Sequence, residues 1–368
     1  MTKARWIRAL RWMLVTLGLA AVALAALLLK WPQREPSITP LPAPEIPESS
    51  VLLEDGIRVG SALPLGTVTV FPIYSEKQVD LGPIISLQSA LEDGTAEVRE
   101  HGAEDSPLGG ATVGQLVLEN KGDASIFVLA GTIVKGGKQD RQIGQDFVVA
   151  PHTVASVDAF CVEHGRWTGV RNGALTGGKF EALKQLATSK VRAAGQYEAN
   201  QGEVWSEVAK VNAKSGKSAP SGTLLATVDD DTIARRRAAL SKSIQARLDA
   251  TEPRAAVVGM AYAVGGKVRG ARWFANRRLF TLFQDVLSNT AAMDALDADP
   301  KAKNTVVGPE AVARFVKEVE SAPPERKDTA ADNVNEYKKA PKGWGSSTKL
   351  KRSPKAKGAS ISKDYVAK

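Results

Sequence analysis

A chain of 368 residues, 43% of them hydrophobic and 24% charged, has the composition of a globular protein, which excludes a wholly disordered or collagen-like chain. The formal net charge of +9 is concentrated at the ends, because residues 1–31 carry +5, residues 321–368 carry +7 and the body between them carries −3. Because the body has a slightly negative net charge, it lacks the basic surface typical of nucleic-acid-binding proteins, so no nucleic-acid partner is expected.

The N-terminus has the pattern of a membrane segment. Residues 1–11 contain four Lys or Arg and no acidic residue, and residues 12–29 are uncharged and mainly apolar. As a helix, the second stretch reaches about 27 Å, enough to cross a bilayer core. The positive-inside rule then predicts a single-pass protein of the cell membrane, with residues 1–11 cytoplasmic and the body extracytoplasmic, or periplasmic in a Gram-negative cell. The alternative is a signal peptide cleaved near Ala21-Val22-Ala23, and both interpretations export the body.

Two further segments lack a globular pattern. Residues 30–50 are rich in proline and predict an extended linker. Residues 321–368 contain 12 Lys or Arg and few apolar residues, and they predict a basic disordered tail. The globular domain is therefore expected at residues 51–320.

The first part of this domain is predicted to be rich in strands. A short helix is expected at 86–92. Alternating or continuous apolar runs, separated by turn signals, predict strands at 66–73, 114–118, 126–129, 142–150 and 153–160. Strands spaced in this way favour an antiparallel, sandwich-like arrangement.

The second part has mainly helical spacing. Gly265-Gly266 predicts a hairpin turn, and Pro309 suits the first turn of a helix. Apolar residues at helical intervals predict helices at 180–191, 233–248, 280–287 and 312–319. The expected fold class is α+β, with a β-rich antiparallel N-terminal half and a helix-rich C-terminal half, preceded by one transmembrane helix.

The side chains that could bind a ligand or react are most concentrated in two segments, GGKQDR at 136–141 and CVEHGRW at 161–167. In the first segment, the glycines allow positive φ, and successive backbone N–H groups with Lys138 and Arg141 could form an anion nest. The alternative for this segment is a tight turn with solvated charges. In the second, Arg166 either binds a ligand or pairs with a nearby carboxylate.

The sequence gives little support for a catalytic cysteine, a metal site or a nucleotide-binding loop. On a continuing strand, Cys161 and His164 point to opposite faces, so an inert, buried Cys161 is expected. The three histidines lie far apart and no His or Cys pair has ligand spacing, so no metal or other cofactor is expected. Residues 173–179 fit GxxxxGK, but Phe180 stands where a Ser or Thr should bind Mg²⁺; we interpret the segment as a loop before a helix.

Taken together, the motifs resemble the ARPP domain, a family associated with ADP-ribosylglycohydrolase and rhodanese-phosphatase superfamily proteins. The resemblance covers residues 60–295 approximately and rests on NKG at 120–122, GGKQDR, CVEHGRW, QGEVW at 201–205 and VGMAYAVGG at 258–266. The family implies no established activity, and its name points only to ADP-ribose or NAD-derived ligands. It also implies that the residues of its polar signature share one cleft, namely Lys138, Gln139, Arg141, Glu163, Arg166 and Trp167.

The expected function is that of a membrane-anchored, exported binding or scaffold module of the cell envelope. Its basic tail would be attracted to an anionic envelope polymer or lipid. The alternative is an enzyme or ligand-binding domain for an anionic substrate related to ADP-ribose or a nucleotide. In that case cationic side chains of the two motifs bind the anion, and Glu163 or His164 acts as acid or base.

Overall fold

The computed structural model describes residues 45–101, 114–171, 173–298, 305–351 and 360–368. The strands are β1 (Val51–Glu54), β2 (Ile57–Val59), β3 (Leu63–Leu65), β4 (Val68–Ser75), β5 (Ile84–Ser86), β6 (Ala96–Glu100), β7 (Gln115–Asn120), β8 (Ser125–Val128), β9 (Thr132–Gly136), β10 (Arg141–Ile143), β11 (Phe147–Val149), β12 (Thr153–Cys161), β13 (Val170–Arg171), β14 (Ala174–Leu175), β15 (Phe180–Leu186), β16 (Val257–Val264), β17 (Lys267–Phe274), β18 (Pro324–Asp328), β19 (Asn333–Ala340), β20 (Gly343–Leu350) and β21 (Ser360–Ala367). The α-helices are α1 (Leu87–Glu92), α2 (Ser189–Gln196), α3 (Gln201–Lys214), α4 (Leu225–Val228), α5 (Asp231–Asp249), α6 (Arg277–Leu296) and α7 (Pro309–Glu320).

The largest sheet has ten strands and combines distant parts of the chain. Its order is β1-β2-β4-β16-β17-β21-β20-β19-β18, with β3 paired to β4. Strand β4 is buried on both faces, because Val68 and Val70 belong to one core and Phe71 and Ile73 to the other. A strand covered on both faces has an almost continuous apolar sequence instead of an alternating one.

Helices cover both faces of this sheet. On one face, α7 begins at Pro309, as predicted, and buries Phe315 and Val319. On the other face, α6 buries Phe280 and Phe283, and α5 packs against it. The predicted hairpin between β16 and β17 is confirmed, since Gly265-Gly266 has φ values of +57° and +78°.

A six-stranded sheet, in the order β15-β9-β10-β12-β7-β6, carries both polar motifs. Val134 faces a core shared with α1 and the three-stranded sheet β11-β8-β5, whereas Ile133 faces a core shared with α2, α3 and α4. Adjacent residues of a strand point to opposite faces, so the sheet is packed on both sides. The motifs are therefore held on a sheet that is buried on both faces.

The expected division into a strand-rich and a helix-rich half is wrong. Residues 257–367 supply six of the ten strands in the large sheet. The segment 321–368, expected to be a disordered tail, forms β18 to β21 among its described residues. Its charges are paired across neighbouring elements: the Lys338 Nζ lies 2.7 Å from Glu320 Oε2, and the Lys349 Nζ lies 2.8 Å from Glu336 Oε2. Composition does not reveal such pairing.

The helix predicted at 180–191 is also wrong in its first part. The chain forms β15 up to Leu186, and α2 begins only at Ser189. Phe180 pairs with Gly136 on β9, so pairing with a strand distant in sequence overrides the local helical spacing. The GxxxxGK segment thus precedes a strand and not a helix.

The predicted transmembrane helix is not part of the fold that the structure describes. No helix within the described ranges is long and apolar enough to cross a membrane. Residues 1–11 and 12–29, and most of the predicted linker at 30–50, lie outside those ranges.

Four buried charged residues join the two large sheets. Arg272 on β17 pairs with Asp146, in the loop after β10, and its Nη1 lies 3.8 Å from Asp364 Oδ1 on β21. Arg192 on α2 binds the same carboxylate, with 2.7 Å between its Nη1 and Asp364 Oδ2. Burial acts to raise the pKa of Asp364, but the two guanidinium groups outweigh it and lower that pKa.

Removal of the central cation should destabilise the protein strongly. Arg272→Met leaves Asp146 and Asp364 buried with less compensation, and breaking a buried ion pair from one side costs about 3–5 kcal/mol. We expect a loss of that size in the free energy of unfolding from urea titration. The matched control is Arg326→Met, which removes the exposed pair with Asp328 and should cost about 1 kcal/mol or less. Equal unfolding midpoints for the two variants would contradict the prediction.

Candidate functional site

The GGKQDR segment forms the turn between β9 and β10, and its N–H groups bind the protein's own carboxylates. The Gly136 N–H donates to Asp140 Oδ1 at 3.1 Å. The Lys138 N–H donates to Glu100 Oε1 at 2.9 Å, and the Asp140 N–H to Glu163 Oε2 at 3.1 Å. The predicted anion-binding N–H groups are therefore satisfied from within the chain.

The two glycines of this turn are required by the close approach of β15. Gly137 has φ +47°, and a Cβ atom there would lie 2.3 Å from the Phe180 ring. A Cβ atom on Gly136 would lie 2.0 Å from the Lys179 carbonyl oxygen. A larger residue at either position would push apart the turn and the strand that form one wall of the site.

Arg166 has a complete set of acceptors. Its Nε donates to Glu163 Oε2 at 3.0 Å, and its Nη2 lies 2.8 Å from the same oxygen. Its Nη1 donates to the carbonyl oxygens of Gly137 at 2.9 Å and Thr168 at 2.8 Å. This arginine therefore connects the CVEHGRW segment to the GGKQDR turn. Of the two interpretations offered for Arg166, its contacts are those of a residue paired with a nearby carboxylate.

Two carboxylates beside Arg166 have opposite pKa shifts. Burial raises the pKa of Asp140, and Glu163 adds to the rise, although Arg171 donates to it and opposes the shift. Burial also acts to raise the pKa of Glu163, but hydrogen bonds from Arg166, Ser221 and the Asp140 N–H outweigh it and lower that pKa. Glu163 is thus a stably ionised group of the scaffold.

Cys161 and His164 do not form a catalytic pair. Cys161 is buried opposite Arg141, and burial raises the pKa of its thiol, with Arg141 opposing. His164 is exposed and packs its ring edge-on against Trp205, 4.4 Å between centroids. The Gln201 side chain donates to the Cys161 carbonyl oxygen and accepts from its N–H, both at 2.8 Å, which links the QGEVW motif to CVEHGRW.

Trp167 separates two clefts. Its side chain is 49% exposed, and the Lys138 Nζ and Arg141 Cζ lie 5.7 and 5.6 Å from its ring centroid. These distances fit cation–π contacts. The ring lines a first cleft of about 750 Å³ and a second of about 540 Å³.

The first cleft lies between β6 and the loop before β15. Its apolar floor includes Val98 and Phe180, and its rim includes Thr176 and Gly177-Gly178. Its charged lining residues are Glu97, Arg99, Glu100, Lys121, Lys138 and Lys179. Positive side chains therefore outnumber carboxylates in this cleft, although the body of the chain is net negative.

The six residues predicted to share one cleft fall into two groups. Lys138 and Trp167 line the first cleft, Arg141 lies against the same Trp167 ring, and Gln139 accepts a hydrogen bond from Arg141 Nη1 at 3.2 Å. The other pair, Glu163 and Arg166, is bound together beneath the second cleft.

Several residues of the site were missed in the sequence. Lys179 had a signal, because the Gly-rich GxxxxGK segment predicted a loop that ends in a lysine. Glu100, Lys121 and Arg171 had none, since the pairing of β6 with β7 brings the first two to the same cleft and Arg171 reaches the site through its ion pair with Asp140. No cluster of three or more His, Cys, Asp or Glu side chains suited to a metal occurs in the described ranges.

The family is decided by a sequence match that covers both motifs and the cleft. Residues 56–355 match the ARG and Rhodanese-Phosphatase-superfamily-associated Protein domain, here the ARPP domain. The chain belongs to this family. The ARPP match confirms the resemblance and extends beyond residue 295 into β18, β19 and β20, which shows that these strands are part of the domain. No curated protein and no solved structure matches the chain.

Glu163→Gln should weaken the ARPP domain in a pH-dependent way. The folded pKa of Glu163 lies below its unfolded value of about 4.3, so its contribution is present above that pH and is lost as pH falls through the folded pKa. We expect the variant to lose about 1.5–3 kcal/mol of unfolding free energy at neutral pH, and the difference to shrink below about pH 4.

Urea titrations at neutral pH and at pH values below about 4 measure this difference. Glu181→Gln, at an exposed position of β15, is the matched control and should change little at either pH. A loss in Glu163→Gln that is equal at both pH values would exclude the assigned role.

Proposed function

We propose that this ARPP domain is a binding module for an anionic ligand that enters the first cleft. The observation that carries the proposal is the pair Lys138 and Lys179 at the cleft wall. Within the described residues, neither forms an ion pair within 4.0 Å. Lysines that line a concave site and form no close ion pair are available to bind an anion.

The charge distribution supports the same class of ligand. Lys121 and Arg99 add positive charge to the lining, where both approach Glu97, at 2.6 and 3.6 Å. A cleft in which positive side chains predominate attracts negatively charged ligands over about a Debye length, and salt weakens this attraction.

A nucleotide-related ligand is the first class to test. A volume of about 750 Å³ lies within the usual range for small-molecule sites. The family's association with ADP-ribosylglycohydrolase proteins favours ADP-ribose as a probe, and pyrophosphate represents its charged part alone.

Catalysis has less support than binding. The carboxylate of Glu163 is occupied by Arg166 and by the Asp140 N–H, and the His164 ring packs on Trp205. An acid or base must reach the atom on which it acts. In this arrangement neither candidate is directed into the first cleft.

An extracytoplasmic location in the cell envelope is a separate proposal, which is supported by the charge pattern of residues 1–31 alone. The attraction of the C-terminal segment to an anionic polymer or lipid loses support, because Lys338 and Lys349 are paired with Glu320 and Glu336. A topology reporter fused after Lys368 should report from outside the cytoplasm, and a cytoplasmic signal would contradict the location.

Binding to the first cleft should depend on its lysines and on salt. We expect calorimetric titration of the full chain to detect ADP-ribose or pyrophosphate binding. Lys138→Ala and Lys179→Ala should each weaken it by about twofold to fivefold, as expected for partly exposed charges. Added NaCl should weaken it further.

Lys339→Ala, which removes a half-exposed lysine of β19, is the control for net charge and should leave the affinity unchanged. The proposal fails if the Lys138→Ala/Lys179→Ala double variant binds both probes as tightly as the control at low and high salt.

A further inference from the structure

Arg141 is fully buried but only partly satisfied. Its exposure is 0%, and Nη1 donates to Gln139 Oε1 at 3.2 Å. Nε and Nη2 have no hydrogen-bond acceptor among the described residues, although Glu100 Oε2 approaches Nη2 to 3.5 Å. Buried polar groups are normally paired, and a buried cation without acceptors is costly. Arg141 therefore has binding capacity that the fold does not use.

The two unpaired nitrogens lie on one edge of the guanidinium group. The Nε–H and one Nη2–H bond point in the same direction, so one oxyanion can accept both through two oxygens. Arg166 offers the same fork, but that edge is already bound to Glu163. The contrast distinguishes a structural arginine from one that is available to a ligand.

Trp167 covers this guanidinium. The ring centroid lies 5.6 Å from Arg141 Cζ, while half of the side chain is exposed to solvent. The same ring lines both clefts, and Gly169 follows it closely in an exposed turn. Arg141 lines neither cleft while the ring is in place, so displacement of this one ring is the movement that would uncover its guanidinium and open a path between the two clefts.

We propose that Trp167 is a gate over Arg141, and that a phosphate group of the ligand displaces the ring and binds to Nε and Nη2 of Arg141. Lys138, on the same ring, lies close enough to share the charge of the phosphate. The joined clefts suit an elongated phosphate compound, such as one that contains a pyrophosphate. This inference rests on the proposed function and specifies how that site binds its ligand.

The carboxylate of Glu100 competes with a ligand phosphate for the guanidinium group of Arg141. Its carboxylate is the one anion within 4.0 Å of Arg141 among the described residues, and it is held there by the Lys138 N–H at 2.9 Å. Because a second anion near Nη2 is repelled by it, Glu100→Gln should strengthen phosphate binding while its amide oxygen still accepts from Lys138.

The binding test titrates inorganic pyrophosphate into the full chain. Arg141→Met should weaken binding by about tenfold or more, because hydrogen bonds to charged groups are lost. Arg99→Met removes the same charge from the lining of the first cleft, where Arg99 is already paired with Glu119 at 2.7 Å, and should weaken binding less. Trp167→Ala and Glu100→Gln should both bind more tightly than the unaltered protein.

A labelling test reports on the gate directly. Phenylglyoxal modifies accessible guanidinium groups, and mass spectrometry locates the label. Arg141 should be protected in the unaltered protein, reactive in Trp167→Ala, and protected again when pyrophosphate is added. If Arg141→Met does not fold, this test and the Glu100→Gln titration decide the matter, since neither removes the buried arginine.

The outcomes separate this inference from the proposed function. If the lysine variants weaken pyrophosphate binding but Arg141→Met resembles Arg99→Met, the cleft binds anions and the gate is rejected. If Trp167→Ala leaves Arg141 unlabelled, the gate is likewise rejected. Malonate that binds as tightly as pyrophosphate, with the same dependence on Arg141, would overturn the assignment of a phosphate ligand. If no variant changes binding, both proposals fail.

Discussion

The buried chain of charges from Asp146 through Arg272 and Asp364 to Arg192 sets the relation between the two sheets of this ARPP domain. Asp146 also accepts from the Ala130 N–H at 2.7 Å and from the Thr348 hydroxyl at 2.9 Å, so one carboxylate binds the six-stranded region, β17 and β20 together. Ion pairs in the interior are strongly directional, and each member is costly if left alone. A displacement of one sheet relative to the other would separate these partners, so the network favours the observed arrangement of the sheets.

The same physical rule separates scaffold from site. Arg166, whose guanidinium nitrogens all have acceptors, and Arg192, which is bound to Asp364, hold elements together. Arg141 has the same burial but lacks acceptors on one edge, and it lies beneath the half-exposed ring of Trp167. Among the described residues, Arg141 is the one arginine with two buried nitrogens that lack an acceptor, and such an edge is the natural place for a ligand's charge.

The GxxxxGK segment does not form the phosphate loop that its motif suggests, but it does lie at the candidate site. It precedes a strand, so it lacks the helix N-terminus that a phosphate loop requires. Its glycines have positive φ at Gly177 and Gly178 and place Lys179 at the first cleft. The loop thus contributes charge through a side chain and not through a phosphate-binding helix.

Local patterns alone were sufficient for the features that depend on neighbours in sequence: the hairpin at Gly265-Gly266, the start of α7 at Pro309, and the family itself. The site role of the six signature residues stays a prediction, and their separation into two groups was not foreseen. The strands at 321–368, the strand at Phe180 and the contacts of Glu100 and Arg171 were decided by tertiary structure. Strand pairing and ion pairing join residues far apart in the chain, so a polar segment shows its burial only when its partner strand and opposite charges are in place.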